Sequence, residues 1–169
     1  MDDRIDTLVG TYCEDGGICP ETLERCGEQY RAQGHLTRRQ LYALAYEVSA
    51  RNAHLVFENT NRECETVTTN VASLGDDLSR VTLLTGLSGF ETTTASCVLT
   101  GLDPGRYAIA DASVWEGLVS LGRVHESRDR IGPREYCRLL EHARRIAADV
   151  DRPVADVGFA LSAYGLESS

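Results

Sequence analysis

The chain has 169 residues, of which 42% are hydrophobic and 25% are charged, as in an ordinary globular protein. Its net charge is −9 and all 17 basic residues are arginine, which excludes any mechanism that needs a lysine nucleophile. The apolar runs are too short to cross a bilayer, and no basic and apolar leader opens the sequence. We therefore expect a single cytoplasmic domain over residues 1–169 that makes no membrane contact.

Helical periodicity runs through almost the whole chain. The spacing of Leu23, Cys26 and Tyr30 predicts a helix over residues 21–33. Thr37 and Gln40 form a capping box, which predicts a second helix that ends near residue 51. Further helices are predicted over residues 63–74, 76–85, 92–102, 112–122, 133–148 and 153–164.

No period-two alternation is long enough to predict a sheet, and Tyr107–Ile109 is at most a short extended piece. The expected fold class is therefore all-α: a compact orthogonal bundle of about seven to nine short helices with no substantial sheet.

The six cysteines leave two interpretations open. Cys13, Cys19 and Cys26 are close in sequence, but no C-x-x-C pair of the kind usual in zinc sites occurs. They are either free thiols that pack as small apolar groups, or ligands of a metal site completed by Cys64 or His35.

A dense group of arginines occurs between residues 123 and 145. Interleaved carboxylates predict that this segment is an ion-paired, solvated surface, although a local basic face is also compatible with it. The net charge of −9 argues against loose, charge-driven binding of nucleic acid. The arginines are Arg123, Arg128, Arg130, Arg134, Arg138, Arg144 and Arg145.

Residues 83–115 contain the one pattern that indicates a chemistry. A tight apolar loop at 87–91 joins the predicted helices 76–85 and 92–102, and the amides of such a loop and of the following helix start can hold a phosphate. Asp111 then precedes another predicted helix. A carboxylate there is an N-cap, worth about 1 kcal/mol, or a catalytic group, and the two roles are compatible.

This order of segments resembles the helix–hairpin–helix DNA glycosylase superfamily, in particular the endonuclease III and adenine-glycosylase group and its small, poorly characterised members. The helix–hairpin–helix corresponds to about residues 76–102. The residues that match are Leu87, Gly89 and Phe90 in the hairpin, Ala95 in the closely packed helix, and Asp111 and Val114 in the catalytic segment.

The resemblance implies that a base is flipped out of double-stranded DNA and excised with Asp111 as the catalytic residue. It gives the DNA-binding residues as Ser88, Gly89, Phe90, Thr92, Thr93 and Thr94. Tyr107 and Trp115 are candidates to line the base pocket, or else core residues. No metal, no other cofactor and no iron–sulfur cluster is expected.

Two departures from the family pattern separate two hypotheses. Some bifunctional members carry a strand-cleaving lysine at the Thr93 position, and Glu91 replaces the second glycine of the hairpin. The first hypothesis is a monofunctional DNA glycosylase without lyase activity. The alternative is a catalytically inactive helix–hairpin–helix scaffold that binds DNA or protein.

Overall fold

The protein is described by a computed structural model for the backbone of residues 2–167 and the side chains of residues 4–167. Within that range it forms helices and no β-strand, so the all-α prediction is confirmed. None of these helices is long and apolar enough to cross a bilayer. The elements are α1 (Asp2–Glu14), α2 (Pro20–Gln33), α3 (Arg38–Val48), a 3₁₀ helix (Ala53–Glu58), α4 (Asn61–Val71), α5 (Asp77–Thr85), α6 (Thr92–Leu102), α7 (Ala112–Ser120), α8 (Pro133–Val150) and α9 (Val154–Glu167).

Side-chain caps determine where several helices begin. The predicted capping box of α3 is present, because Gln40 N donates to Thr37 Oγ1 (3.3 Å) and Thr37 N donates to Gln40 Oε1 (2.9 Å). A second capping box, between Thr60 and Glu63, starts α4 two residues before the predicted position. Each box satisfies two backbone N–H groups that the first helical turn leaves without partners.

The small-residue helix α6 lies at the centre of the bundle and packs on α2, α3 and α5. Most of its residues are buried, including Ala95, Ser96 and Cys97. At its far end Gly101 approaches α2 so closely that an added Cβ would lie 2.6 Å from the Leu23 carbonyl oxygen. The small residues therefore let neighbouring backbones come close to α6, as packing at native density requires.

Glycines also let α7 and α9 pack against each other at very short range. A Cβ on Gly117 would collide with the carbonyl of Leu161, and one on Gly165 would collide with the carbonyl of Ser113. On its other side α9 meets α1, where the rings of Tyr12 and Phe159 lie 4.9 Å apart. The helix α1 had no counterpart among the predicted helices.

The stretch from Tyr107 to Ala110 has no regular secondary structure and is fully buried. Ala110 N donates to Ser96 Oγ (2.8 Å), and Tyr136 Oη donates to the carbonyl of Ala108 (2.9 Å). Side chains of α6 and α8 thus replace the backbone partners that this segment lacks. They fix the position at which Asp111 follows.

Candidate active site

The starts of three helices meet at one cleft of about 480 Å³. Thr92 and Thr93 line it from α6, Asp111 and Ala112 from α7, and Gly132 and Pro133 from α8. A helix start exposes backbone N–H groups and the positive end of the helix dipole. The cleft therefore brings the Asp111 carboxylate together with three helix starts, and its lining also includes Glu91, Asp129 and Arg130.

Asp111 is half-buried, and its two carboxylate oxygens have different surroundings. Oδ1 accepts hydrogen bonds from Val114 N (2.9 Å) and from Ser113 Oγ (2.6 Å), which makes Asp111 the N-cap of α7. Oδ2 accepts none within the described residues. The predicted capping role and a position in an open cleft are therefore combined in one side chain.

A buried hydroxyl on α9 completes the surroundings of this carboxylate. Ser162 Oγ lies 2.5 Å from Ser113 Oγ, which in turn donates to Asp111 Oδ1. Ser162 is only 2% exposed, so its hydroxyl needs a partner inside the protein. These two hydroxyl groups hold the Asp111 carboxylate in position from the α9 side. The contact is possible because Gly165 lets α9 approach the carbonyl of Ser113.

Cys97, on the central helix, is fully buried, and the charge of Asp111 acts on its thiol. Burial chiefly, and the Asp111 carboxylate next, raise the pKa of the Cys97 thiol far above its usual range. A thiol that stays protonated is a poor nucleophile. Since the chain has no lysine, water is the simplest nucleophile that this cleft can use.

Glu91 and Arg130 form an ion pair between two segments that border the cleft. Arg130 Nη2 donates to Glu91 Oε1 (2.9 Å), and the two side chains are 83% and 67% exposed, respectively. Glu91 is the N-cap residue of α6, yet its side chain makes no capping bond. The carboxylate that stands in place of a hairpin glycine is thus neutralised by an arginine that precedes α8.

The hairpin (residues 87–91) is held from behind by Asn59, a buried residue that the sequence pattern did not single out. Its Nδ2 donates to the carbonyl of Ser88 (3.0 Å), and Ser88 N donates to Asn59 Oδ1 (2.9 Å). Gly89 has φ +82°, and an added Cβ would lie 2.8 Å from Val56 N. Only glycine satisfies both conditions at this position.

The predicted DNA-binding residues separate into two groups. Thr92 and Thr93 line the cleft beside Asp111, and Thr93 is the more exposed of the two. Phe90 and Thr94 are buried, and Ser88 and Gly89 are partly buried in the hairpin outside the cleft lining. The contact of Ser88 N with Asn59 removes one hairpin amide from those that can meet a ligand.

Tyr107 and Trp115 do not line the cleft, which corrects their expected place in a base pocket. Each is 1% exposed. Tyr107 Oη donates to Asp77 (2.9 Å) and accepts from Arg80, beside the C-terminal part of α6. Trp115 Nε1 donates to the carbonyl of Glu126 (2.7 Å), and so it holds the loop that leads to the cleft residues before α8.

The proposed metal ligands do not come together. Among the described residues no group of three or more His, Cys, Asp or Glu side chains could hold a metal ion. Cys13 and Cys19 are exposed, whereas Cys26 and Cys64 are buried. Burial raises the pKa of Cys26 to about 12, which keeps it a thiol and suits a packing role.

The segment 129–132 is the part of the cleft that sequence reasoning missed. Pro133 signalled the start of α8, and Arg130 was assigned to a solvated surface. No local signal places them opposite Asp111, because that proximity depends on how α7 and α8 pack. In the same way, the hydroxyl contact of Ser162 depends on how α7 and α9 pack.

A solved structure with a similar arrangement is that of Methanocaldococcus jannaschii 8-oxoguanine glycosylase/lyase in complex with a 15mer DNA containing 8-oxoguanine. The TM-score is 0.54, with 98% of this chain and 81% of that chain covered at 16% sequence identity. This chain has the fold of a helical DNA glycosylase. No protein-family model matches the sequence, and no curated protein matches it.

Proposed function

We propose that the protein is a member of the helix–hairpin–helix DNA glycosylase superfamily and a monofunctional glycosylase, which removes a base without cutting the strand. The observation that carries the proposal is the position of Asp111. Its side chain lines a cleft together with Glu91 of the hairpin, its Oδ1 is braced by Ser113, and both occur in a glycosylase fold.

The cleft suits a flipped base and the sugar attached to it. A volume of about 480 Å³ falls within the usual range for small-molecule sites. As the C1′–N bond breaks, positive charge develops on the sugar, and the Asp111 carboxylate stabilises that charge. The same carboxylate orients the attacking water and accepts its proton. The water oxygen bonds to C1′, and the electron pair of the broken C1′–N bond leaves with the base. The base takes up a proton from solvent, and Asp111 returns the proton it accepted to solvent.

Two properties of the chain support hydrolysis without strand cleavage. There is no lysine to form a Schiff base with the sugar, and Thr93 occupies the position at which bifunctional relatives carry that lysine. The Cys97 thiol is buried and protonated. Double-stranded DNA is the proposed partner, by analogy with the DNA complex of the structural neighbour.

A screen of base release tests the function. Purified protein is incubated with duplexes that carry damaged, mismatched or modified bases, and 8-oxoguanine comes first because the DNA bound to the structural neighbour contains it. The matched variant is Asp111→Asn, which keeps an N-cap oxygen for Val114 N but loses the charge. We expect release by the wild type and none by the variant; release that survives the substitution rules out the role of Asp111.

The alternative is a scaffold that binds DNA or protein without catalysis. Glu91 favours it, because this carboxylate occupies the hairpin position nearest an approaching phosphate and holds Arg130. Duplex binding by a folded wild-type protein, with no release from any substrate, would favour the scaffold. Catalysis and binding are therefore measured on the same duplexes.

A further inference from the structure

The arginines between residues 123 and 145 fall into two sets. Arg128, Arg130 and Arg144 contact carboxylates, as an ion-paired surface requires. The other members form no ion pair within the described residues, and all of them are exposed. We call this second set the α8 basic face, and it consists of Arg123, Arg134, Arg138 and Arg145.

The α8 basic face runs along one exposed side of α8. Arg134 and Arg138 are one turn apart, and Arg145 follows about two turns later, so that the row extends over about 16 Å. Arg123 joins it from the turn after α7. Burial first, and then the charges of Arg145, Arg138 and Arg123, lower the pKa of His142 on the same helix, in keeping with a positive potential on this side of α8.

Carboxylates offset only part of this charge. Glu141 lies beside Arg138 and Arg145 on α8, and Asp149 follows Arg145 after one turn. Glu135 is directed towards Arg128 instead. A positive excess therefore persists on this side of α8, in a chain whose net charge is −9.

The row begins at the cleft. Gly132 and Pro133 line the cleft at the start of α8, and Arg134 is the next residue. Arginine binds phosphate well because its planar guanidinium presents several donors at once. One strand of B-DNA has a phosphate for every 3.4 Å of helix axis, so the length of the row corresponds to about five phosphates.

We infer that the α8 basic face binds the phosphate backbone of the duplex on one side of the base held in the cleft. The inference rests on the proposed function for its choice of DNA over other polyanions. It adds a second contact region to the hairpin, and it explains how a strongly acidic protein holds an acidic polymer.

The salt dependence of duplex binding tests the inference. Labelled duplex is titrated at several salt concentrations with wild-type protein and with the double variant Arg138→Gln, Arg145→Gln. Each phosphate contact contributes about 0.9 to the slope of log K against log salt, so the double variant should lower the slope by about 1.8. An unchanged slope overturns the inference.

A charge-matched control uses Arg25→Gln and Arg31→Gln on α2, which packs on α6 and α3. Both arginines are exposed and form no ion pair in the described part of the chain. This control should leave the slope unchanged. An equal fall in the control shows that only net charge matters, and it also overturns the inference.

Two further measurements separate this inference from the proposed function. The first measurement is base release by the same proteins. If no base is released but the double variant still lowers the salt slope, the glycosylase activity is rejected and the α8 basic face remains a DNA contact.

The second measurement is a titration with a polyglutamate peptide. Tighter binding of that peptide than of duplex, lost in the α8 double variant, identifies an acidic protein as the partner and rejects DNA. No binding of duplex by any variant rejects both proposals.

Discussion

Asp111 serves two purposes through two different atoms. Oδ1 caps α7 through Val114 N, whereas Oδ2 accepts no hydrogen bond within the described residues, and the side chain lines the cleft. A substitution can therefore remove the negative charge and keep the cap. This separation lets stability and chemistry be measured independently at one position.

We expect Asp111→Asn to change the free energy of unfolding by only a few tenths of a kcal/mol, because asparagine is as good an N-cap as aspartate. Asp111→Ala should cost about 1 kcal/mol, because Val114 N then loses its acceptor. Urea denaturation of the two variants measures the difference. Equal losses of stability would contradict the capping role.

Glu91 holds Arg130 in an ion pair, and under the proposed function a DNA phosphate competes for that arginine. Glu91→Gln should therefore raise duplex affinity by about 1.4- to fivefold, the range expected when an exposed ion pair worth about 0.2–1 kcal/mol is removed. Anisotropy titration measures this, with Asp129→Asn as the control because it removes a like charge from the same cleft.

A double-mutant cycle with Arg130→Gln decides how Glu91 acts. If Glu91 works by occupying Arg130, the gain from Glu91→Gln shrinks when Arg130 is absent. The same gain in both backgrounds would mean that the carboxylate only repels phosphate.

Among the elements, helix starts were the features most readily predicted. The capping box at Thr37 and Gln40, and Pro133 in the first turn of α8, act through neighbours within one turn, so sequence alone reveals them. The helix α1 also has a readable apolar stripe, at Ile5, Leu8 and Tyr12, but it was not assigned. The 3₁₀ helix behind the hairpin has no such periodic signal.

Packing between elements could not be predicted from patterns within one helical turn. Trp115 follows Asp111 by one turn, which fits either a pocket or a core, and Tyr107 was equally ambiguous. Only the tertiary contacts place both in the core. Asp111 was identified through its position ahead of α7. The opposite wall of the cleft, with Arg130, depends on a loop that Trp115 holds through Glu126.

The close contact of α7 and α9 gives a prediction at this scale. Gly165→Ala should destabilise the protein by about 1–3 kcal/mol, because the new methyl group collides with the carbonyl of Ser113. The shift should also separate Ser162 from Ser113 and slow base release. The control is Gly10→Ala in α1, where nothing lies within 4 Å and alanine should stabilise by about 0.5–1 kcal/mol. Thermal unfolding with release assays tests both.

The start of α5 is tied to α8 by an ion pair that should respond to pH. Burial alone would raise the pKa of Asp77, but hydrogen bonds from Arg144 and Tyr107 and the charges of Arg144 and Arg106 outweigh it and lower that pKa. Its stabilising contribution is thus complete above the unfolded-state value of about 3.9 and is lost as pH falls through the lower folded-state value.

Asp77→Asn should remove that acid-dependent part of the unfolding free energy. At neutral pH it should cost on the order of 1.5–3 kcal/mol, because Arg144 Nη1 loses an ionised acceptor 2.6 Å away. Unfolding followed from pH 7 down to about pH 2 measures both effects, because the contribution is lost only below the ordinary aspartate pKa of about 3.9. If the unfolding free energies of wild type and variant depend on pH in the same way, Asp77 does not make the pH-dependent contribution.

For the whole molecule, the absence of lysine makes a gain-of-function experiment unusually clean. Thr93 lines the cleft with Asp111 and, under the proposed function, stands where a strand-cleaving lysine would act. Thr93→Lys should form a Schiff base with an abasic site, which borohydride traps as a covalent protein–DNA product. The wild type has no side-chain amine that can react, so it provides the background.

Trapping in Thr93→Lys would place the sugar C1′ beside the start of α6. Thr82→Lys, an exposed position on α5, is the matched control and should give no product. Equal trapping by both variants would mean that the reaction reports only chance contact with lysine.

The contact between Ser113 and Ser162 also sets an order of events during synthesis. The two serines are 49 residues apart, so α9 leaves the ribosome roughly 2–10 s after α7 at ordinary translation speeds. During that interval the hairpin and Asp111 have been made, but the brace behind the carboxylate has not. A nascent chain in those seconds therefore carries Asp111 without the Ser162 contact behind it, and that contact forms only when α9 has packed.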